Sequence, residues 1–331
     1  TYGDWSSDVC SSDLTKILVI GLDCAAPELL FGDDRLANLR QLMAAGCYGR
    51  LESIVPPITV PAWMCMATSQ DPGSLGVYGF RNRTGYTYDG LGIVNSRSIQ
   101  ELTLWDQIAR DIKRSVIVGV PPNFPPRRVN GVSVGCFLTP DPAKDAFTHP
   151  AEAKGQIERL VGEYAVDVKG FRTENKAWLL QQIDAMSRKQ FEVVRHFMRN
   201  ERWDYLHFVD IGLDRMHHGF WKHHDPEHVQ HVPDSPYRYA IRDYYRRLDD
   251  EIGSLLDLLD EDTVVLVASD HGAQRLDGGF CVNQWLIEQG LLCVDEPPRE
   301  VTPFNRLQVN WSKTRVWSEG GYYARVFFNV K

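Results

Sequence analysis

Four short stretches of this sequence place metal-ligating or nucleophilic side chains at the ends of apolar runs or at a helix start. Asp270 and His271 directly follow the run TVVLVAS. A carboxylate beside an imidazole suits Zn²⁺ or Mn²⁺, although such a pair also fits an aspartate that caps the next segment and a histidine in the loop. Asp214 and His218 stand four residues apart in LDRMHHGFW. On a helix both lie on one face and can share one ion, and His217 then points elsewhere. The same spacing also serves an ordinary solvated Asp–His pair. Asp23 ends the run KILVIGL, either as a ligand or as a cap. Thr59 precedes Val60-Pro61, where a helix is expected with Pro61 as its first residue. A hydroxyl there faces free N–H groups and the positive end of a helix dipole, a favourable place for phosphate. A metal touching that oxygen would lower its pKa and make it a nucleophile; without one, it is a capping threonine. His223, His224, His228 and His231 in HHDPEHVQH either bind metal or line a solvated loop.

The elements that must position these groups can be read from periodicity. Residues 16–22 read as a buried strand, 34–46 as a helix carrying Leu36, Leu39, Leu42 and Met43 and stopping at Gly46, and 48–54 as a second strand. DPGSLGVYGF is loop-like, 101–112 helical and 115–120 a strand. Residues 121–170 are expected to hold long loops or a small cap, because Pro and Gly are dense from 121 to 150. Helical patterns follow at 173–199 and 237–259, strands at 204–212 and 263–269. VNQWLIEQG reads as a helix stopped by Gly290, and YYARVFFNVK as a strand. Strands alternating with helices predict an α/β fold: a three-layer α/β/α sandwich around a mostly parallel sheet. Ligands of such sheets bind beyond the carboxyl ends of the strands. Asp23, Asp210 and Asp270 all stand at such ends, and so many carboxylates in one place call for cations between them.

Composition narrows the class further. The chain has 331 residues and a net charge of −8, which disfavours general nucleic-acid binding. No apolar run reaches the length of a membrane span. The seven cysteines, Cys10, Cys24, Cys47, Cys65, Cys136, Cys281 and Cys293, are odd in number and lack C-x-x-C spacing, so they read as reduced, mostly buried and in a cytoplasmic setting. Residues 1–14, TYGDWSSDVCSSDL, have neither helical nor strand period and no signal-peptide pattern, and are expected to be a non-native or disordered tail. Residues 15–331 then form the catalytic domain.

GLDCAAPELL, PPITVPAWMCMATSQDPGSLGVYGF, LDRMHHGFW and SDHGAQRLDGGFCVNQWLIEQGLL occur in this order. Together they resemble the type I phosphodiesterase/nucleotide pyrophosphatase family of the alkaline-phosphatase superfamily over about residues 16–331. The resemblance implies an enzyme that hydrolyses phosphate mono- or diesters of small molecules through a phospho-threonine on Thr59, resolved by a metal-activated water. It implies two metal ions, a zinc pair, with Mn²⁺ accepting similar ligands. One would be held by Asp23, Thr59, Asp270 and His271, the other by Asp214 and His218. Asp210, one turn before Asp214, then has a supporting role. The family's third ligand of the second metal is a histidine beyond the strand matched by YYARVFFNVK. The sequence stops at Lys331 without it, so a fragment truncated at both ends is expected.

Phe80 stands where nucleotide-cleaving members of the family carry a phosphoryl-contacting asparagine, which argues against nucleotide pyrophosphatase activity. Threonine rather than cysteine at position 59 argues against a sulfatase. A phosphomutase or phosphotransferase would use the same two-metal site, and a non-catalytic binding protein could retain the same fold.

Overall fold

Strand β1 (Ile17–Leu22) is the middle of the site's scaffold, and its side chains alternate strictly between two buried faces. Leu18, Ile20 and Leu22 enter one apolar cluster, while Val19 enters the other, as the two-residue period of a strand covered on both sides requires. The structure is a computed structural model that describes residues 16–88 and 90–330. The expected tail at 1–14 lies outside the described residues.

The further strands are β2 (Arg81–Arg83), β3 (Leu91–Ile93), β4 (Ser115–Val118), β5 (Gly131–Val134), β6 (Thr148–His149), β7 (Tyr205–Asp210), β8 (Val264–Ala268), β9 (Val316–Gly320) and β10 (Ala324–Phe328). The helices are α1 (Pro27–Phe31), α2 (Ala37–Ala45), α3 (Thr59–Thr68), α4 (Pro72–Leu75), α5 (Leu104–Arg110), α6 (Glu152–Val161), α7 (Lys176–Asn200), α8 (Gly212–His224), α9 (Ala240–Leu256) and α10 (Val282–Glu288). Six strands form one sheet in the order β6-β5-β4-β7-β1-β8. All neighbours run parallel except β5 and β6. Helices α7 and α9 cover one face with Leu179, Ile183, Phe191, Tyr245 and Leu248. Helices α3 and α5 cover the other with Val60, Trp63, Met64 and Trp105. This is the three-layer α/β/α arrangement expected from the alternating pattern.

Several local expectations are corrected. Residues 48–54 are not a strand; Tyr48 and Leu51 are exposed and the segment pairs with nothing in the sheet. Within 121–170, read as loops or a cap, β5 and β6 extend the central sheet and α6 packs beside it. The prolines there bound short strands rather than excluding them. Helix α3 starts at Thr59, two residues before Pro61. Strand β8, read as buried, is half-exposed because it lies at the edge of the six-stranded sheet. Of the described cysteines, Cys24 and Cys136 are buried, but Cys47 and Cys281 are exposed. No helix among the described residues is long and apolar enough to cross a membrane.

The chain divides into two compact units, one ending at Arg275 and one beginning at Leu276. The second contains α10 and the antiparallel β9–β10 ribbon, where Trp317 packs on Trp311 and Phe327 at ring-centroid distances of 5.2 and 5.4 Å. Every candidate site residue belongs to the first unit.

Gly21 is needed for its lack of a side chain. A Cβ there would stand 2.6 Å from the Trp63 ring and 2.7 Å from Val209. Both neighbours are fully packed, so neither can yield cheaply. Gly21→Ala is expected to lower stability by about 1–3 kcal/mol, read as a lower urea midpoint at an unchanged slope.

Candidate active site

The register of the three adjacent strands β7, β1 and β8 brings their carboxyl ends level. Leu22 pairs with Asp210, and Gly21 with Ala268. Asp23 and Asp270 therefore emerge side by side at one edge of the sheet. The backbone reinforces this: Cys24 N–H donates to Asp270 Oδ1 at 3.1 Å, and Asp23 N–H to the Asp210 carbonyl at 3.1 Å. Ser53 donates its hydroxyl to the Asp270 carbonyl, and Ala25 N–H donates to Ser269 Oγ at 2.9 Å. Cys24 adopts φ of 67°, the left-handed region, which turns the chain sharply after the strand.

Thr59 is the first residue of α3, and the cap position falls to Ile58. Its hydroxyl is thus free of the capping role. It lies 3.1 Å from His271 Nε2. His271 Nδ1 lies 3.0 Å from the Gly272 carbonyl, which can only accept. The ring proton of neutral His271 consequently sits on Nδ1, and the Nε2 lone pair faces Thr59. That same Nε2 is 3.9 Å from Asp23 Oδ1 and 3.3 Å from Asp270 Oδ2.

Asp214 and His218 both lie on α8, one turn apart, with His218 Nε2 3.4 Å from Asp214 Oδ1. Ligand atoms of Asp23, Asp214 and His271 all fall within 4.8 Å of one another. The six residues singled out in the sequence therefore converge: five share one cluster, and His218 joins it through Asp214. The later histidines do not; among the described residues Asp23, Asp214 and His271 are the one such group gathered this closely. His217 turns into the protein interior, its Nδ1 3.5 Å from Cys24 Sγ, and burial pushes its pKa down to about 3. Asp210 is engaged on all sides: it accepts from Ser187 Oγ at 2.7 Å, Leu213 N–H at 3.0 Å and Tyr244 OH at 3.1 Å. It anchors the first turn of α8 rather than facing the cluster.

Electrostatics make this cluster a poor home for bare carboxylates. Burial, with the charges of Asp270 and Asp214, raises the Asp23 pKa well above its usual range, against the opposing hydrogen bond from Trp63. Asp270 is raised to about 6, chiefly by burial. Burial opposes ionisation of Asp214 too, but the hydrogen bond and charge of His218 and the charge of Arg215 outweigh it and hold this carboxyl below the usual range. Two buried oxygens, Asp23 Oδ1 and Asp270 Oδ2, have no hydrogen-bond partner among the described residues. Both flank the lone pair of His271. Buried acceptors cost free energy unless a donor or cation meets them. Two carboxylate oxygens and one imidazole nitrogen form a donor set that fits a divalent cation of the Zn²⁺ or Mn²⁺ kind. The residues present thus fit the metal that the resemblance implies.

Three supporting residues escaped the sequence reading. Trp63 Nε1–H donates to Asp23 Oδ2 at 2.9 Å; it stands one helical turn after Thr59, and that spacing was the available signal. Arg215 is buried, ion-paired with Asp214, and held to Asp167 by two bonds of 2.7 and 3.0 Å. Its guanidinium lies over the Phe171 ring at 4.4 Å, and Phe171 packs on His218 at 5.9 Å. Adjacency to Asp214 marked Arg215 in sequence, but nothing local marked Asp167.

The profile of the type I phosphodiesterase/nucleotide pyrophosphatase family matches residues 17–331. The chain belongs to this family. Similar solved structures include phosphonoacetate hydrolase from Sinorhizobium meliloti 1021 in complex with phosphonoacetate, at 15% identity and TM-score 0.59, covering 88% of this chain and 66% of that chain. The same hydrolase with phosphonoformate matches at 14% identity and TM-score 0.55, with the same coverage. Murine ectonucleotide pyrophosphatase/phosphodiesterase 5, in an inactive form with AMP, matches at 12% identity and TM-score 0.48, covering 85% of this chain and 64% of that chain. This chain of the family thus spans slightly less than two thirds of the length of these neighbours. No curated protein matches it.

Two predictions follow from the cluster of this family member. Trp63→Phe keeps the ring but removes the donor to Asp23; metal affinity is expected to fall about 10- to 100-fold, measured by competition with a chromogenic chelator. In metal-free protein the raised Asp270 pKa means that the native state holds a proton that the unfolded state releases. Stability should therefore decline as pH rises from about 4 through about 6. Asp270→Asn should make that decline shallower in thermal melts taken with a chelator, and the buried Asp23, also raised, supplies the remainder.

Proposed function

We propose that this chain hydrolyses phosphate esters, with Thr59 as the nucleophile. Its cations would be held by Asp23, Thr59, Asp270 and His271 on one side and by Asp214 and His218 on the other. The observation that carries the reading is the Thr59 hydroxyl 3.1 Å from His271 Nε2, beside buried carboxylate oxygens that lack partners. A nucleophile, a nitrogen lone pair and desolvated anionic ligands in one place suit attack on phosphorus.

Bound divalent cations, zinc or manganese by ligand type, would supply Lewis-acid stabilisation of charge on the phosphoryl oxygens and on the attacking and leaving oxygens. The chain's own groups do the rest. Thr59 Oγ forms a bond to phosphorus as the ester P–O bond breaks, and the hydroxyl proton ends on the departing alcohol. Water then breaks the Oγ–P bond, releasing phosphate, or the remaining monoester from a diester, and restoring the hydroxyl. The first turn of α3 presents backbone N–H groups to the transferred group. Arg215, tied to Asp167, offsets the negative charge of the cluster and keeps Asp214 ionised.

Phe80 supports an ester other than a nucleotide pyrophosphate. It packs on Phe137 at 6.1 Å and offers no hydrogen bond to a phosphoryl oxygen. The phosphonate ligands of the hydrolase neighbour support small, anionic candidate substrates.

Turnover of an aryl phosphate mono- or diester panel, with and without added Zn²⁺, tests the reading. Thr59→Ala is expected to lower kcat by at least about three orders of magnitude, with loss of covalently trapped phosphate on acid quench. Chelation should have the same effect on the wild type, reversed by Zn²⁺. Full activity in Thr59→Ala would end the assignment.

A further inference from the structure

The histidines after His218 do not gather as a metal site, yet three of them meet in a second place. A hollow of about 270 Å³ lies where the end of α8 meets the start of α9, lined by His223, His224, His231, Asp234, Ser235, Arg238 and Arg242 among others. His224 follows His218 by six residues, about 9 Å along the helix axis and on another face of it. The hollow is therefore separate from the catalytic cluster.

Its charge is unusual for a chain of net −8. Arg238 and Arg242 are one turn apart and exposed, and neither has an ion-pair partner among the described residues. The nearby acids are engaged elsewhere. Asp243 pairs with Arg246 at 2.8 Å, Glu227 pairs with Arg275, and Asp225 accepts from Trp221 Nε1 at 3.2 Å and Glu227 N–H at 2.9 Å. Asp234 is the one carboxylate on the lining, against two guanidiniums.

A buried donor adds a second, independent sign. His223 is 7% exposed. Its Nδ1 is 2.8 Å from Ser235 Oγ, and Ser235 Oγ already accepts the Tyr237 N–H at 3.1 Å. The buried serine hydroxyl has no other acceptor among the described residues, so it gives its proton to Nδ1, and neutral His223 carries its own proton on Nε2. That Nε2 is buried with no acceptor among the described residues. Beside it begins α9, a helix of 17 residues whose first-turn N–H groups favour negative charge.

We propose that this hollow is an oxyanion site for a tetrahedral phosphate-type group. Arg238 and Arg242 supply the forked, charged donors suited to such a group, the His223 Nε2–H supplies a neutral one, and the start of α9 orients the dipole. The phosphate is either free in solution or carried on the far end of a substrate.

Equilibrium dialysis of the full chain against labelled inorganic phosphate tests this, comparing wild type, Thr59→Ala and the double variant Arg238→Ala/Arg242→Ala. Both arginines are exposed, so the double variant leaves the core intact, and its circular dichroism should match the wild type. Phosphate binding is expected to weaken about tenfold or more in the double variant, the loss of one or more charged hydrogen bonds. Thr59→Ala should retain it, and Arg238→Lys/Arg242→Lys should restore part of it. Turnover of a simple aryl monophosphate should be unchanged in the double variant. A rise in KM for a substrate bearing a second, remote phosphate would assign the site to substrate; an unchanged KM with lost phosphate binding would assign it to free phosphate. Binding equal to wild type in the double variant overturns the proposal, as does binding lost in Thr59→Ala.

Discussion

Everything at the candidate active site depends on one electrostatic constraint: three aspartates are packed together where water cannot screen them. Asp23 is completely buried, and Asp214 and Asp270 nearly so. Like charges this close in a medium of low polarisability repel strongly. The chain can hold them in only two ways, by protonation or by a counter-charge. The raised pKa values of Asp23 and Asp270 show the first response, and Arg215 beside Asp214 shows part of the second. Cations would complete it, because they neutralise the carboxylates without removing their lone pairs.

The rest of the first unit serves to impose this constraint. Parallel pairing of β7, β1 and β8 puts their carboxyl ends in line, so residues far apart in sequence leave the sheet together. Asp210 pins the start of α8 through Leu213, Ser187 and Tyr244, which fixes where Asp214 can reach. Trp63 links α3 to Asp23, so the helix that carries Thr59 also orients a neighbouring carboxylate. Gly21 lets that indole approach the strand. Groups held from several directions lose little further entropy when substrate arrives, which is the physical content of preorganisation.

Surroundings then separate chemistry from selectivity. Arg215 is sandwiched near Phe137 and Phe171, with Asp167 completing its ion pairs. Phe80 packs edge-on against Phe137. Phe137 and Phe171 lie outside the four motif segments, whereas Phe80 closes one of them.

Much of the fold and most of the cluster were legible in the primary sequence. Buried parallel strands read as unbroken apolar runs, so β1 and β7 and the acids that end them stood out. The spacing of Asp214 and His218 already implied one helical face. What could not be read depended on partners distant in the chain. Residues 48–54 have strand-like composition but found no partner strand, while Gly131–Val134 and Thr148–His149 found places in the sheet despite their prolines and glycines. Thr59 read as either a nucleophile or a cap, and the cap position at Ile58 together with the place of His271 shows that its hydroxyl is not spent on capping. Asp167 and the Ser235–His223 bond had no local mark at all, and Trp63 had only its spacing from Thr59. Residue type and local period are written in the chain itself, whereas hydrogen-bond partners and desolvation arise only when separate elements pack against one another.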